Sequence, residues 1–421
     1  MTRYTLHLWA VAALGVSQAW AGPLTLDQAI ERALQTNPVL AASEAQRDGA
    51  DAQWRQARAA ALPQLSVVGQ IGRGTADLGG FFGFERQSVE PRSAQVELRQ
   101  PLFAGGGVVA GIAQARQTRE AAEAAATATR LRISAAAADA YGAVLTNRLL
   151  RQQGERYAAA TREIARTAAL RFEAGEIPRS DLAQAQAREA QGQALLAEAV
   201  AQHSAAEARF QEVIGESPNE LAPLPAVAGV NGDVAQLQSL AEQASPDLIA
   251  ARASAEAAQS GLRMAQSERL PSLALTARAG TVRDEFLPGY RSQGNTIALT
   301  GKWTLFASGG VSARIDAARA AVRRADAQLT EARNQVRSAT AATWSALRAA
   351  EAALQAATTQ LTASDEALQS LQHEVRVGQR TIVELLNAQR DRLAAATAQA
   401  QAHSALTQLQ WQLAVLTGQP P

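Results

Sequence analysis

The sequence predicts a mainly α-helical fold that carries a small set of membrane β-strands. Three observations predict it. The chain is duplicated, each copy holds stretches of apolar–polar alternation, and each holds one helical stretch too long for a globular core. Composition agrees: of 421 residues 47% are hydrophobic but only 4% aromatic. Alanine is abundant nearly everywhere, which suits thin, closely packed helical walls. The net charge of +1 leaves no excess positive field to hold phosphates, so no nucleic acid partner is expected. The absence of cysteine excludes disulfides, thiolate zinc sites, a thiol nucleophile and a lipid-modified N-terminal cysteine.

From the N-terminus, Arg3, the apolar run Leu6 to Val16 and the small-x-small site Ala19-Trp20-Ala21 read as a secretory signal over residues 1–21. The mature chain is then expected to begin at Gly22. No later stretch approaches the roughly 18 to 20 apolar residues of a membrane helix. Any membrane crossing must therefore use strands.

The duplication is legible in pairs. Asn37-Pro38 recurs as Ser245-Pro246 and Leu62-Pro63 as Leu270-Pro271. The run PLFAGG from Pro101 recurs as TLFASG from Thr304. The run GEIPRSDLAQAQ from Gly175 recurs as GQRTIVELLNAQ from Gly378, and Ile214-Gly215 as Thr417-Gly418. The spacing between copies shortens after position 271, so the second copy has the shorter strand-to-strand loop. The first repeat spans 22–215, with a hairpin at 62–104 and a helix turn at 173–181. A proline-bearing linker covers 216–235. The second repeat spans 236–421, with its hairpin at 270–306 and its turn at 375–381. Each repeat reads helix, strand, loop, strand, long helix, turn, helix.

The strands alternate. Ala94, Val96 and Leu98 face one way, and Gln95, Glu97 and Arg99 the other. Leu273, Leu275 and Ala277 alternate with Ser272, Ala274, Thr276 and Arg278. In Thr296 to Leu305, Ile297, Leu299, Trp303 and Leu305 share one face. The first strand, around Gln64 to Arg73, is glycine-rich and less regular. Two faces of opposite character fit a lipid-facing wall with a wet lumen. Four strands cannot close a barrel, and open sheet edges are not tolerated in lipid, so several subunits must share one. Phe103, Trp303 and Phe306 fall at strand ends, where an aromatic girdle belongs.

The helical stretch from Gly105 to Phe172 would be roughly 100 Å long at ~1.5 Å per residue. The flanking helices, about 24–60 and 182–214, together match it, and the second repeat behaves alike. Gly105-Gly106-Gly107 lacks the lysine and hydroxyl of a phosphate loop and reads as a strand-to-helix bend. Gly175 and Gly378 sit where a helix stops with positive φ, and Ser180 or Asp181 and Thr381 are placed to cap the next helix.

The duplicated plan, the PLFAGG and TLFASGG strand exits and the RFEAG and VGQRTIVELLNAQ turns together resemble the TolC family of outer-membrane efflux and secretion channels, over essentially residues 24–418. The resemblance implies a homotrimer with a twelve-stranded barrel in outer-membrane lipid and a long-helix α-barrel tunnel in the periplasm. It implies a periplasmic adaptor (membrane fusion) protein and an inner-membrane pump as partners, docking near the turns at Gly175 and Gly378. No cofactor, metal or catalytic site is implied. Arg380 matches a latch arginine whose partner position is Ser180. Asp181 matches a second latch residue, whose usual tyrosine mate is here Val375. Glu384 matches the first acidic residue of the pore constriction, and Asn387 stands where the second acid is usual. The plainer reading of Glu384 is an acid at a helix start.

His203, His373 and His403 are isolated and lack ligand-like neighbours. Phe81-Phe82-Gly83-Phe84, in the first strand-to-strand loop, either plugs or lines the outer mouth or packs there. Two other classes compete with a channel: a periplasmic adaptor, which has one hairpin inside β-rich domains, and a coiled-coil scaffold, which leaves the strands unexplained.

Overall fold

The computed structural model describes residues 23–77, 79, 86–224 and 233–418. The signal stretch, Phe81-Phe84 and Pro225 lie outside the described residues. The first repeat runs α1 (Leu26–Thr36), α2 (Pro38–Ala59), β1 (Gln64–Ile71), β2 (Gly74–Ala76), β3 (Gln87–Val89), β4 (Arg92–Ala104), α3 (Gly107–Glu173) and α4 (Arg179–Ile214). The second runs α5 (Val234–Ala244), α6 (Pro246–Ser267), β5 (Ser272–Arg283), β6 (Arg291–Lys302), α7 (Gly310–Arg376) and α8 (Ile382–Thr417). Helix lengths repeat without change. Both copies have 11, 22, 67 and 36 residues in order. A 67-residue helix is about 100 Å long.

Three sequence expectations need correction. The helix expected over about 24–60 is two helices, broken at Asn37-Pro38. Proline has no N–H to donate and bars the preceding residue from helical geometry. Asn37 therefore caps α2, accepting from the Val39 N–H at 2.9 Å. Ser245-Pro246 breaks the second copy in the same way. The fourth strand ends at Lys302 and begins earlier, at Arg291, so Trp303, Leu305 and Phe306 follow it. Helix α4 starts at Arg179 rather than 182, behind Pro178 at the cap. The first strand-to-strand connection also holds a short hairpin, β2 with β3, that the sequence did not reveal.

The chain divides into two compact units, the boundary falling within α3, α7 and α8 and between α1 and α2. One is built from residues 1–36, 136–227 and 355–404. Here small residues set the packing: Ala165, Ala168 and Ala185 are almost fully buried. Gly192 lies so close to α3 that a Cβ there would meet the Thr161 hydroxyl at 2.7 Å. The Tyr141 hydroxyl reaches the carbonyls of Leu24 (2.7 Å) and Ala222 (2.6 Å), pinning both ends of a short parallel bridge to α3. Burial raises the pKa of that phenol.

The other unit, residues 37–135, 228–354 and 405–421, holds the sheet. Its order is β1-β4-β5-β6, all antiparallel, so the two repeats join in one sheet through the β4–β5 ladder. Leu237, Leu347 and Leu413 form an apolar cluster at another place in the same unit. Gly105 and Gly106 take positive φ between β4 and α3, and a Cβ on Gly105 would meet the Ser267 carbonyl at 2.6 Å. No described helix is long and apolar enough to cross a membrane.

Candidate functional site

The register of the sheet sorts its two faces. Leu65, Leu98, Ala277 and Ile297 lie side by side across the four strands, and Val67, Val96 and Ala279 form the next row, which ends in the polar Asn295. On the opposite face Ser66, Glu97, Arg278 and Thr296 make one row, with Glu97 and Arg278 ion-paired at 3.0 Å. Val67 is 73% exposed, Ile297 77% and Leu299 63%. A soluble protein would bury such a face; here it lies bare in the single chain, and β1 and β6 leave two unpaired edges. The face can be satisfied by lipid, and the edges by further copies.

The helix turns share one stop. After α3, the Gly175 N–H donates to Phe172 and the Glu176 N–H to Arg171. After α7, the Gly378 N–H donates to Val375 and the Gln379 N–H to Glu374. Both glycines have positive φ, 73° and 79°, as this left-handed stop requires. The restarts differ. Thr381 and Glu384 form a reciprocal capping box. The Glu384 N–H donates to the Thr381 hydroxyl oxygen at 3.3 Å, and the Thr381 N–H donates to the Glu384 carboxylate at 3.0 Å. Thr381 thus caps as expected. Ser180 and Asp181 do not: Pro178 occupies the cap, and the Ser180 hydroxyl donates to the Asp181 carboxylate at 3.2 Å.

Arg380 is clipped within its own chain. It donates to Glu374 at 3.1 Å and to Glu384 at 3.2 Å, joining the last turn of α7 to the first turn of α8. Among the described residues it makes no bond to Ser180. The capping bond from the Thr381 backbone, with Arg380 beside it, holds the Glu384 carboxyl below its ordinary range. Hydrogen bonding to Glu374 in turn raises the Arg380 guanidinium. Glu374 is the partner that sequence reasoning missed. Its signal was its place, since an acid in a last helical turn opposes the helix dipole unless a cation answers it.

Val375 is buried. It packs with Ala165, Ala168, Ala185, Ile382 and Leu386 in one apolar cluster. Ile177 and Leu182 from the first turn pack on it, so the cluster ties the two turns together. Asn387 lies half-buried on α8, one turn beyond Glu384.

The profile of the outer membrane efflux protein family matches residues 29–216 and 237–419. The chain belongs to that family. The match covers both repeats, which sets aside the adaptor and scaffold readings and places this efflux-family chain in the outer membrane, with its helices extending into the periplasm. The outer membrane efflux protein BepC of Brucella suis biovar 1 (strain 1330) is 28% identical over 266 residues, 63% of this chain. That match spans only 58% of the length of BepC. Among solved structures, the outer membrane protein VceC of Vibrio cholerae superposes with a TM-score of 0.82 at 21% identity, covering 94% of this chain and 96% of its own. The CmeC outer membrane channel of Campylobacter jejuni gives 0.82 at 15% identity, covering 93% and 85%. At such identities the likeness establishes the fold: a duplicated long-helix subunit whose strands close a barrel only with other copies. The relatives are channels, not enzymes.

Proposed function

We propose that three copies of this chain form the outer-membrane channel of a tripartite export system. Each contributes four strands to a twelve-stranded barrel and its long helices to a periplasmic tunnel. A periplasmic adaptor and an inner-membrane pump dock at the turns around Gly175 and Gly378, and the pump supplies the energy. The observation that carries this reading is the open four-stranded sheet, with one bare apolar face and two free edges. Fractionation and light scattering of the detergent-extracted protein test it. The expected result is a trimer that stays in the membrane through a high-salt wash. Release by salt alone would overturn the reading.

The gate lies at the turns. Arg380, Glu374 and Glu384 hold the second turn shut, while Ser180 and Asp181 stand on the first turn and Val375 packs between them. Asn387 leaves Glu384 as the acid facing the constriction, with Arg380 partly neutralising it. Rings of carboxylates hold cations. A trivalent cation is therefore expected to block conductance in planar bilayers only weakly, and Arg380→Ser to raise both conductance and block. Unchanged conductance in that variant would remove the clip from the gate.

A further inference from the structure

Alternation on the apolar face breaks at one end of the sheet. Ile71, Arg92, Arg283 and Arg291 form a single row across β1, β4, β5 and β6. Counting by twos along each strand puts this row on the same face as Leu98, Ala277 and Ile297. It stands about 20 Å further along, at roughly 3.3 Å per residue. Three guanidiniums therefore sit directly opposite one another at the rim of this face, beyond its apolar rows and the polar Asn295, Thr281 and Gln293. Like charges opposed across strands destabilise a sheet unless an anion lies between them.

The protein does not supply enough of that anion. Arg92 pairs with Glu90 at 3.2 Å, but Glu90 also takes two bonds from Arg73. Asp284 and Glu285 follow Arg283 in the loop, where the Asp284 carboxylate accepts the Gly289 N–H at 2.6 Å. Arg283 and Arg291 are exposed and make no ion pair among the described residues.

The row lies at the strand ends remote from all four helix connections, because β4 and β6 begin there and β1 and β5 end there. Thr281 and Gln293, one row nearer the centre, are polar, so the row sits where hydrocarbon gives way to headgroups. With the helices in the periplasm, this is the outer leaflet. We propose that Arg92, Arg283 and Arg291 form a site on the outside of the barrel for phosphorylated headgroups of outer-leaflet lipid. Planar guanidiniums bind phosphate oxygens in pairs, and three on adjacent strands match a headgroup bearing more than one phosphate. The site rests on the channel reading for its orientation.

The test uses the full-length trimer in phosphatidylcholine vesicles with and without diphosphorylated lipid A, reading lipid retained through detergent purification. Wild type is expected to retain lipid A, and R283Q/R291Q to retain at least about tenfold less, two charge-assisted contacts being lost. R283K/R291K, which keeps charge without the fork, should fall between. R99Q/K302Q, on the other face, should retain lipid as wild type does, and it controls for folding. Equal retention by R283Q/R291Q would overturn the site. So would equal retention of dephosphorylated lipid A, or full competition by inorganic phosphate at matched phosphorus. Failure of wild type to insert at all would instead sink the channel reading.

Discussion

The two helix turns descend from one motif, and their differences are informative position by position. Gly175 and Gly378 stop their helices identically. Three residues on, Pro178 faces Thr381, and three further Asp181 faces Glu384. The second turn has a cap, a carboxylate that answers it, and Arg380 to bind that carboxylate back to α7. The first turn has Ile177 where the second has Arg380, and packs it on the shared apolar cluster. Duplication preserved the stop, which depends on one glycine, while the restart drifted toward polar fastening in one copy and apolar fastening in the other.

That contrast can be broken most severely at Leu386, which is almost fully buried in the cluster while its counterpart Ala183 is exposed. Leu386→Ala should cost about 2–5 kcal/mol, read from thermal melts of the helical signal. Ala183→Ser should stay within roughly 0.5 kcal/mol. If both changes cost alike, the cluster is not centred on the second turn. Next, Thr381→Ala removes the cap and should destabilise by about 0.5–2 kcal/mol. The contrast can also be narrowed. Pro178→Thr installs a capping hydroxyl at a residue already in extended geometry and should stabilise by up to about 1 kcal/mol; any loss would show that the proline is needed for the chain to leave the first stop.

The smallest effect is electrostatic. The Glu384 carboxyl is held low in the folded state, so its contribution is present above the ordinary carboxylate pKa of about 4.3. It is lost as pH falls through the lowered value. The stability gap between wild type and Glu384→Gln should thus be flat from pH 7 to about 5 and close on further acidification. A gap that widened in acid would mean the carboxyl is not stabilised in its charged form.

Much of this was legible in the sequence because two environments wrote it. Strands β4 and β5 alternate cleanly where lipid and lumen differ, and the long helices announce themselves by length. The upper half of β6 escaped because Arg291, Gln293 and Asn295 are polar on the face where Ile297 and Leu299 are apolar, so period-two contrast vanishes there. Strands β2 and β3 are three residues each, too short to show a period. The breaks at Pro38 and Pro246 were visible and outweighed by the helical pattern around them. At the candidate gate, residue types could be placed but not their partners. Whether Arg380 turns to Ser180 or to Glu374 depends on how the chain leaves Gly378, a three-dimensional matter that residue types alone do not specify.

The central ladder of the sheet pairs β4 with β5, so Glu97 meets Arg278 across 181 residues of chain. Neither repeat therefore owns a complete sheet. A nascent first repeat emerging from the export machinery has only β1 to set beside β4, and its second edge must wait for the other half of the molecule. Pairings so distant in sequence form slowly and leave strands exposed meanwhile. The subunit can therefore complete its wall only once Lys302, deep in the second repeat, has been delivered.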